Sequence, residues 1–232
     1  MVHQVTRFSD AYSAWENWNL TSFDIKSEYL LAFKKALQSE HSNLAAVVDF
    51  HCQHSAQLLA KTHQMPGPTG ETNELYTAGR GVAVIIQTQI SDPARQSALA
   101  QLTAALIAGN SVVMCSDDIE LVKALESAVK SASLPINLLQ FASLDAYEQL
   151  LDSDVRSVGY IGNQEVELKI NRQLAKRTGA IVGLVSETDV MAIPVAHDPH
   201  LSLRFITERT RTINITAVGG NATLLELGSE AH

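Results

Sequence analysis

Apolar positions follow two rhythms along this chain. Through the first 64 residues they recur at helical spacing. Tyr29, Phe33, Ala36 and Leu37 share one face after Ser27, and Leu44, Val48, Cys52, Ser55 and Leu59 share another. Residues 1–64 therefore read as helices, with Trp15 and Trp18 in an early segment rich in Ser, Asn and Asp. The rhythm breaks at a Pro/Gly-rich loop from Met65, and Gly79-Arg-Gly81 follows it. Val82–Ile86 is a continuous apolar run, as a strand buried on both faces requires. A helix is expected next, with Asp92 as N-cap and Pro93 at the first helical position. Leu99, Leu102, Leu106 and Ile107 form its apolar face, and Gly109-Asn110 closes it before the strand Ser111–Met114. This is a β-α-β unit, the seed of a parallel sheet.

The alternation continues. Asp117 or Asp118 can cap a helix whose face is Leu121, Val122, Leu125, Ala128 and Val129. Pro135 ends that connection, and Ile136–Phe141 reads as a strand. Leu144–Leu151 reads as a short helix, Val155–Ile161 as a strand and Gln164–Thr178 as a helix. Ile181–Val185 and Met191–Val195 read as further strands. Strands alternating with helices predict an α/β fold: a Rossmann-like parallel sheet covered on both faces, with the early helices attached. Beyond it, Leu201–Thr207 and Arg211–Thr216 alternate with period two around the polar Glu208-Arg209-Thr210. They predict a β-hairpin flap. A division at 1–196 for the Rossmann domain with its helices, and 197–232 for flap and tail, follows.

Composition narrows the function classes. With 232 residues, 46% hydrophobic and 18% charged, the chain can bury a sizeable core and is not a disordered segment. A net charge of −8 without a Lys/Arg cluster argues against a nucleic-acid surface. Two cysteines and no signal-like start fit a reducing, cytoplasmic setting, and no apolar run is long enough for a transmembrane segment. Candidate chemistry is sparse. His51, Cys52 and His54, with His41 nearby, invite a metal reading. A packed and solvated helix explains them better, because a metal needs converging ligands with orienting partners. Cys52 and Cys115 read as small buried hydrophobes. Gly79-Arg-Gly81 precedes its strand, so the usual glycine-rich dinucleotide fingerprint, which follows one, does not apply.

Several stretches carry a resemblance. Pro66-Gly-Pro-Thr-Gly-Glu71, Gly81-Val82 and Ala104-Ala-Leu-Ile-Ala-Gly-Asn110 resemble the nucleotide-binding half of an aldehyde dehydrogenase. So do Val158-Gly-Tyr-Ile-Gly-Asn-Gln-Glu165, Ile170–Arg177 and Val185-Ser-Glu-Thr188, in the manner of the pyrroline-5-carboxylate dehydrogenase module of bifunctional proline utilization A proteins. Glu208–Thr216 and Val218-Gly-Gly-Asn-Ala-Thr-Leu-Leu225 resemble the C-terminal segment of that family. Longer members carry a second, non-catalytic aldehyde-dehydrogenase-like domain, and this chain has its layout.

The departures from the family pattern are chemical. The loop Gln87–Pro93 lacks the family's Trp-Asn, whose asparagine stabilises an oxyanion. Cys115 and Ser116 stand where a Lys-Pro pair grips the cofactor ribose. Gly162 and Asn163 stand where Gly-Ser meets the pyrophosphate. Glu187 matches the family's Glu-x-Gly-Gly glutamate, but Asp189-Val190 replaces the glycines. The Gly-Gln-x-Cys context of the nucleophile does not occur. The resemblance thus implies no catalytic residue, no metal and no bound cofactor. It implies a domain that caps or stabilises a pyrroline-5-carboxylate dehydrogenase module of the same or another chain and aids oligomerisation. A homodimer through the flap is expected. Leu201, Leu203, Phe205, Ile213 and Ile215 would form its apolar face, with Gly219, Gly220, Asn221, Leu224 and Leu225 as the docking segment. The alternative is an NAD-dependent 1-pyrroline-5-carboxylate dehydrogenase, an oxidoreductase acting on an aldehyde, or a fragment of one.

Overall fold

The structure is a computed structural model that describes residues 2–68 and 70–214. Three helices open it: α1 (Val2–Leu20), α2 (Phe23–Leu37) and α3 (Ser42–Leu59). Ser22 caps α2 by accepting a hydrogen bond from the Ile25 N–H. Strands β1 (His63–Met65), β2 (Glu71–Gly79) and β3 (Val82–Gln87) follow, then α4 (Asp92–Ile107), β4 (Ser111–Ser116), α5 (Ile119–Ser131) and β5 (Leu139–Ala142). A 3-10 turn at Leu144–Ala146 leads into α6 (Tyr147–Leu150), β6 (Ser157–Ile161), α7 (Gln164–Ala175) and β7 (Gly183–Glu187). A 3-10 helix at Leu201–Phe205 runs directly into β8 (Ile206–Asn214).

Two sheets result. The five-stranded sheet is parallel throughout, in the order β5-β4-β3-β6-β7. The chain builds outward from β3 to one side, then returns to build on the other, so the topological switch lies between β3 and β6. Period-two alternation sorts its side chains between two cores. Ala83, Ile85, Val112 and Met114 face the layer of α2–α5, whereas Val82, Val84, Ile86, Val113 and Cys115 face α1, α6 and α7. The expected α/β sheet covered on both faces is therefore present. The second sheet is antiparallel, β1-β2-β8, with Glu71 opposite Asn214 and Gly79 opposite Ile206.

That second sheet corrects the expected hairpin. Leu201–Phe205 is not a strand, and the partner of Ile206–Asn214 is β2, within the stretch expected to be a Pro/Gly-rich loop. Local alternation says that a strand exists but not what it pairs with. Glu208-Arg209-Thr210 also lacks the Gly or Asn that a tight turn needs, so the chain runs straight through it. Other corrections are smaller. Ser91, not Asp92, is the N-cap of α4, its hydroxyl accepting from the Ala94 N–H at 3.3 Å. Asp118 is the cap of α5. Met191–Val195 is a turn and not a strand.

One buried side chain ties the two sheets together. Asn110 is fully buried. Its Oδ1 accepts from the Arg80 and Gly81 N–H groups at 2.7 and 3.1 Å, and its Nδ2 donates to the Ala105 and Phe205 carbonyls, both at 2.9 Å. The helix end, the β2–β3 turn and the entry to β8 thus share one amide. Two glycines make the approach possible. Gly109 has φ +97°, and a Cβ on Gly79 would lie 2.3 Å from the Gly109 carbonyl.

Asn110→Ala should therefore cost about 4 kcal/mol, because buried backbone groups left without partners cost roughly 1–3 kcal/mol each before relaxation. Urea unfolding checks this. A loss under about 1 kcal/mol would mean that the four groups find other partners.

Candidate functional site

In an open parallel sheet, ligands bind outside the carboxyl ends of the strands, at the switch point. Here that edge carries Gln87 and Thr88 after β3, Cys115 and Ser116 at the end of β4, Gly162 and Asn163 after β6, and Glu187 at the end of β7. The fold thus gathers all five of the expected cleft residues at one edge, as parallel register demands.

Their polar side chains are bonded to other groups of the chain. Ser116 Oγ donates to Gln87 Oε1 at 3.0 Å and accepts from the Asp118 N–H at 3.0 Å. Asp118, 2% exposed, takes a bidentate bond from Arg95 at 2.7 and 2.9 Å and accepts from the Leu121 N–H. Burial disfavours the Asp118 charge, but the Arg95 guanidinium and the Leu121 N–H hold its pKa below the usual value. Arg95 also reaches Glu120 at 2.7 Å. The cation near the end of β4 is thus already bonded to two carboxylates.

Across the switch point, Thr88 and Tyr160 hydroxyls lie 3.1 Å apart, Thr88 donates to the Ile161 carbonyl and Tyr160 donates to the Asn163 carbonyl at 2.9 Å. Asn163 Oδ1 caps α7 by accepting from the Val166 N–H. The space over Gly162 is filled: a Cβ there would stand 1.9 Å from Thr88 Oγ1 and 2.3 Å from Tyr160 Oη.

Glu187 is turned inward. Its Oε2 accepts from the Val195 and Ala196 N–H groups at 2.8 and 3.3 Å. Burial raises its pKa despite these bonds. The Ala196 carbonyl in turn meets His51 Nε2 at 3.0 Å. The segment after β7 is therefore clamped between a carboxylate and an imidazole, and Met191–Val195 bends to satisfy them instead of extending. This donor set does not fit a dinucleotide. The groups that would grip ribose and pyrophosphate are bonded to neighbours, and hydroxyls crowd the glycine approach.

Neither thiol is placed as a nucleophile. Cys52 and Cys115 are buried, and burial pushes each thiol up to about 12. Among the described residues, no group of His, Cys, Asp and Glu is arranged to hold a metal ion. His54 instead packs edge-on against Phe50.

The expected docking residues divide. Leu201 and Phe205 are taken up by this chain's own core, against α4, so they are not free to form a flap face. The physical reason is the 3-10 turn, which folds both back onto the helix. Leu203 and Ile213 are 39% and 45% exposed and remain available. Ile215, Gly219, Gly220, Asn221, Leu224 and Leu225 lie outside the described residues. Nothing local in the sequence marks Thr88 or Asn110 as site-forming. A signal for Tyr160 existed, since an aromatic with a hydroxyl inside a buried strand needs a polar partner.

Comparisons with known proteins agree with this architecture. The bifunctional protein PutA of Escherichia coli (strain K12) is 30% identical over 166 residues, which is 71% of this chain and 11% of that protein. The Rhizobium meliloti protein is 30% identical over 176 residues, 75% of this chain and 13% of that one. The chain matches a region of the proline utilization A proteins. It spans only about an eighth of the length of these curated PutA relatives. A solved bifunctional proline utilization A structure superposes with a TM-score of 0.69 at 27% identity, over 80% of this chain and 22% of that one. A Thermus 1-pyrroline-5-carboxylate dehydrogenase with bound NAD superposes with a TM-score of 0.68 over 81% of this chain and 42% of that one; at 16% identity it speaks for the shared fold alone. No family model matches the chain.

His51 generates a prediction for this chain. Burial lowers its pKa from 6.5 to about 4, so the folded state keeps it neutral. Between those values the unfolded chain binds the extra proton. Stability should therefore fall as pH drops from about 6.5 toward about 4, by up to ~3 kcal/mol from this group. His51→Gln, which can still donate to Ala196, should flatten that slope in urea titrations. An unchanged slope would remove His51 from the acid response.

Proposed function

We propose that this chain is a non-catalytic, aldehyde-dehydrogenase-like unit of a proline-catabolic protein, capping or stabilising a pyrroline-5-carboxylate dehydrogenase module and aiding oligomerisation. The observation that carries the reading is the closed hydrogen-bond network of Thr88, Tyr160 and Asn163 over Gly162, at the edge where an active relative would hold its cofactor. Two inert thiols support it. The flap supports the assembly role. Its strand β8 lies at a sheet edge with residues 208–213 exposed, and an edge strand pairs readily with another chain. Residues 1–196 would supply the body of the domain, and 197–232 the flap and docking segment. The partner would be the dehydrogenase module, or a second copy through the flap, in the cytoplasm. Among the described residues no helix is long and apolar enough to cross a membrane. The alternative, an NAD-dependent dehydrogenase or half-enzyme, rests on fold likeness and on Glu187, whose carboxylate here bonds backbone.

Two experiments separate the readings. Incubation with pyrroline-5-carboxylate and NAD should give no reduced cofactor, and melts with millimolar NAD should stay flat. A ligand at a hundred times its dissociation constant would add ~2.7 kcal/mol of stability. A clear upward shift, or turnover lost on replacing Cys52 or Cys115 by Ser, would restore the enzyme.

For assembly, sedimentation of the intact chain should show a dimer that Ile213→Glu and Leu203→Glu weaken. Both positions are exposed, so the monomer should stay folded. Dimerisation unchanged in both variants would take this surface out of the interface.

A further inference from the structure

A cavity lies at the opposite end of the molecule from the carboxyl edge of the parallel sheet. It has a volume of about 490 Å³ and is walled by the end of α1, the start of α2, the ends of α3 and α4, and strands β2 and β8. Because α4 runs back from the carboxyl end of β3, its C-terminus marks the amino-terminal edge of the parallel sheet. This cavity is therefore distinct from the cofactor edge.

Its lining is unusual for this chain. Lys26, Lys61, Arg209 and Arg211 all contribute, and among the described residues no Asp or Glu does. The whole chain carries a net charge of −8, so four cations around one cavity run against the overall balance. Arg211 is spoken for: its Nε donates to Glu74 at 2.9 Å, and its guanidinium lies 5.8 Å above the Tyr76 ring. The other three have no ion pair among the described residues.

Lys26 is the decisive group. It is only 7% exposed, on the same α2 face as Leu30, Phe33 and Leu37, where an apolar side chain would pack. Its ammonium has no hydrogen-bond partner among the described residues, and it stands beside Gly109. Burial lowers its pKa from 10.5 to about 8. The side chain is largely buried and its end lines the cavity, where a charge is normally matched by a counter-charge. Tyr76, Thr62 and Asn19 add neutral hydrogen-bonding groups to the same wall. The volume falls in the range of small-molecule sites.

We propose that this cavity binds a small multivalent anion, an oxyanion of the phosphate type or a polycarboxylate, held by Lys26 and Arg209 with Lys61 at the rim. The site is independent of whether the cofactor edge is active. The anion would supply the counter-charge that Lys26 lacks, and the guanidinium of Arg209 would provide directional donors.

The test is calorimetric titration of the full chain at pH 8 with sulfate, a non-titrating stand-in for phosphate, and separately with citrate. Sodium chloride at matched ionic strength is the control, since screening alone weakens exposed pairs. Saturable binding of sulfate or citrate, absent with chloride, is expected, and the anion that binds names the class. Lys26→Met and Arg209→Gln should each weaken it about tenfold, the effect of one charge-assisted hydrogen bond. Near its pKa Lys26 should take up a proton on binding, so the wild-type heat should depend on the buffer's ionisation heat, and Lys26→Met should abolish that dependence. Far-UV circular dichroism confirms the fold of each variant. Should Lys26→Met not fold, Arg209→Gln on the exposed strand carries the test. No saturable binding of either anion, or affinities unchanged by the folded variants, would overturn the proposal.

Discussion

The Asn110 amide sits where no water reaches, and all four of its hydrogen bonds go to backbone. Two of those backbone groups belong to the β2–β3 turn, one to the last turn of α4 and one to the residue before β8. Desolvating an amide is unfavourable unless each donor and acceptor is matched, so this geometry is all or nothing. Its consequence reaches both sheets. The parallel sheet takes its first crossover from the turn that Asn110 closes, and the antiparallel sheet takes its anchor from Phe205, which the same amide holds. Gly79 and Gly109 are required because the two backbones touch at this point. The flap is thus an extension of the core, and its position follows from that of α4.

The carboxyl edge of the parallel sheet obeys the same rule in a different way. Strand ends leave polar groups that need partners, and in a ligand-binding relative some of those partners belong to the ligand. Here the chain supplies them. Ser116 and Asp118 are satisfied by Gln87 and Arg95, Tyr160 by Thr88 and the Asn163 carbonyl, and Glu187 by the backbone of Val195 and Ala196. Each pairing is local, yet together they satisfy the polar side chains of this edge from within the chain. The Ala196 peptide extends the network to His51 on α3, so the edge is braced from the helical layer as well.

Much of this was legible in sequence, and the limit is physical. Continuous apolar strands such as Val82–Ile86 and Ser111–Met114 can only be buried on two faces, so the α/β sheet followed directly. Cap residues placed α5 well because Asp118 acts on a neighbour three residues away. What could not be read was pairing at long range. The nine residues Ile206–Asn214 alternate in the same way whether they fold on themselves or on Glu71–Gly79. Contacts at long range decide it, among them the Phe205–Asn110 bond, 95 positions apart, and the Arg80 bond to the Ile206 carbonyl. Leu201 and Phe205 were likewise assigned to a surface because their spacing fits a strand, whereas a single 3-10 turn buries both. Cys115, Ser116, Gly162, Asn163 and Glu187 come to one edge because parallel register brings strand ends together. Which atoms they bond depends on side chains from elsewhere in the chain, Thr88 and Arg95 among them.

Lys26 shows how a misfit in pattern carries information. It lies four residues before Leu30 and seven before Phe33, on the face where α2 should be apolar. A helix does not place an ammonium there for packing, because a Met of similar length would fill the space without the burial penalty. The C-terminal dipole of α4 lies close by and favours a cation, but that interaction is worth about 1 kcal/mol and needs no second or third charge. Lys61 and Arg209 on the same wall come from different elements, α3's exit and β8, and Arg209 lies at no helix end. Their convergence, without a carboxylate among the described lining residues, is what the dipole leaves unexplained. The molecule has thus closed polar chemistry at one edge of its sheet and kept unpaired positive charge at the other.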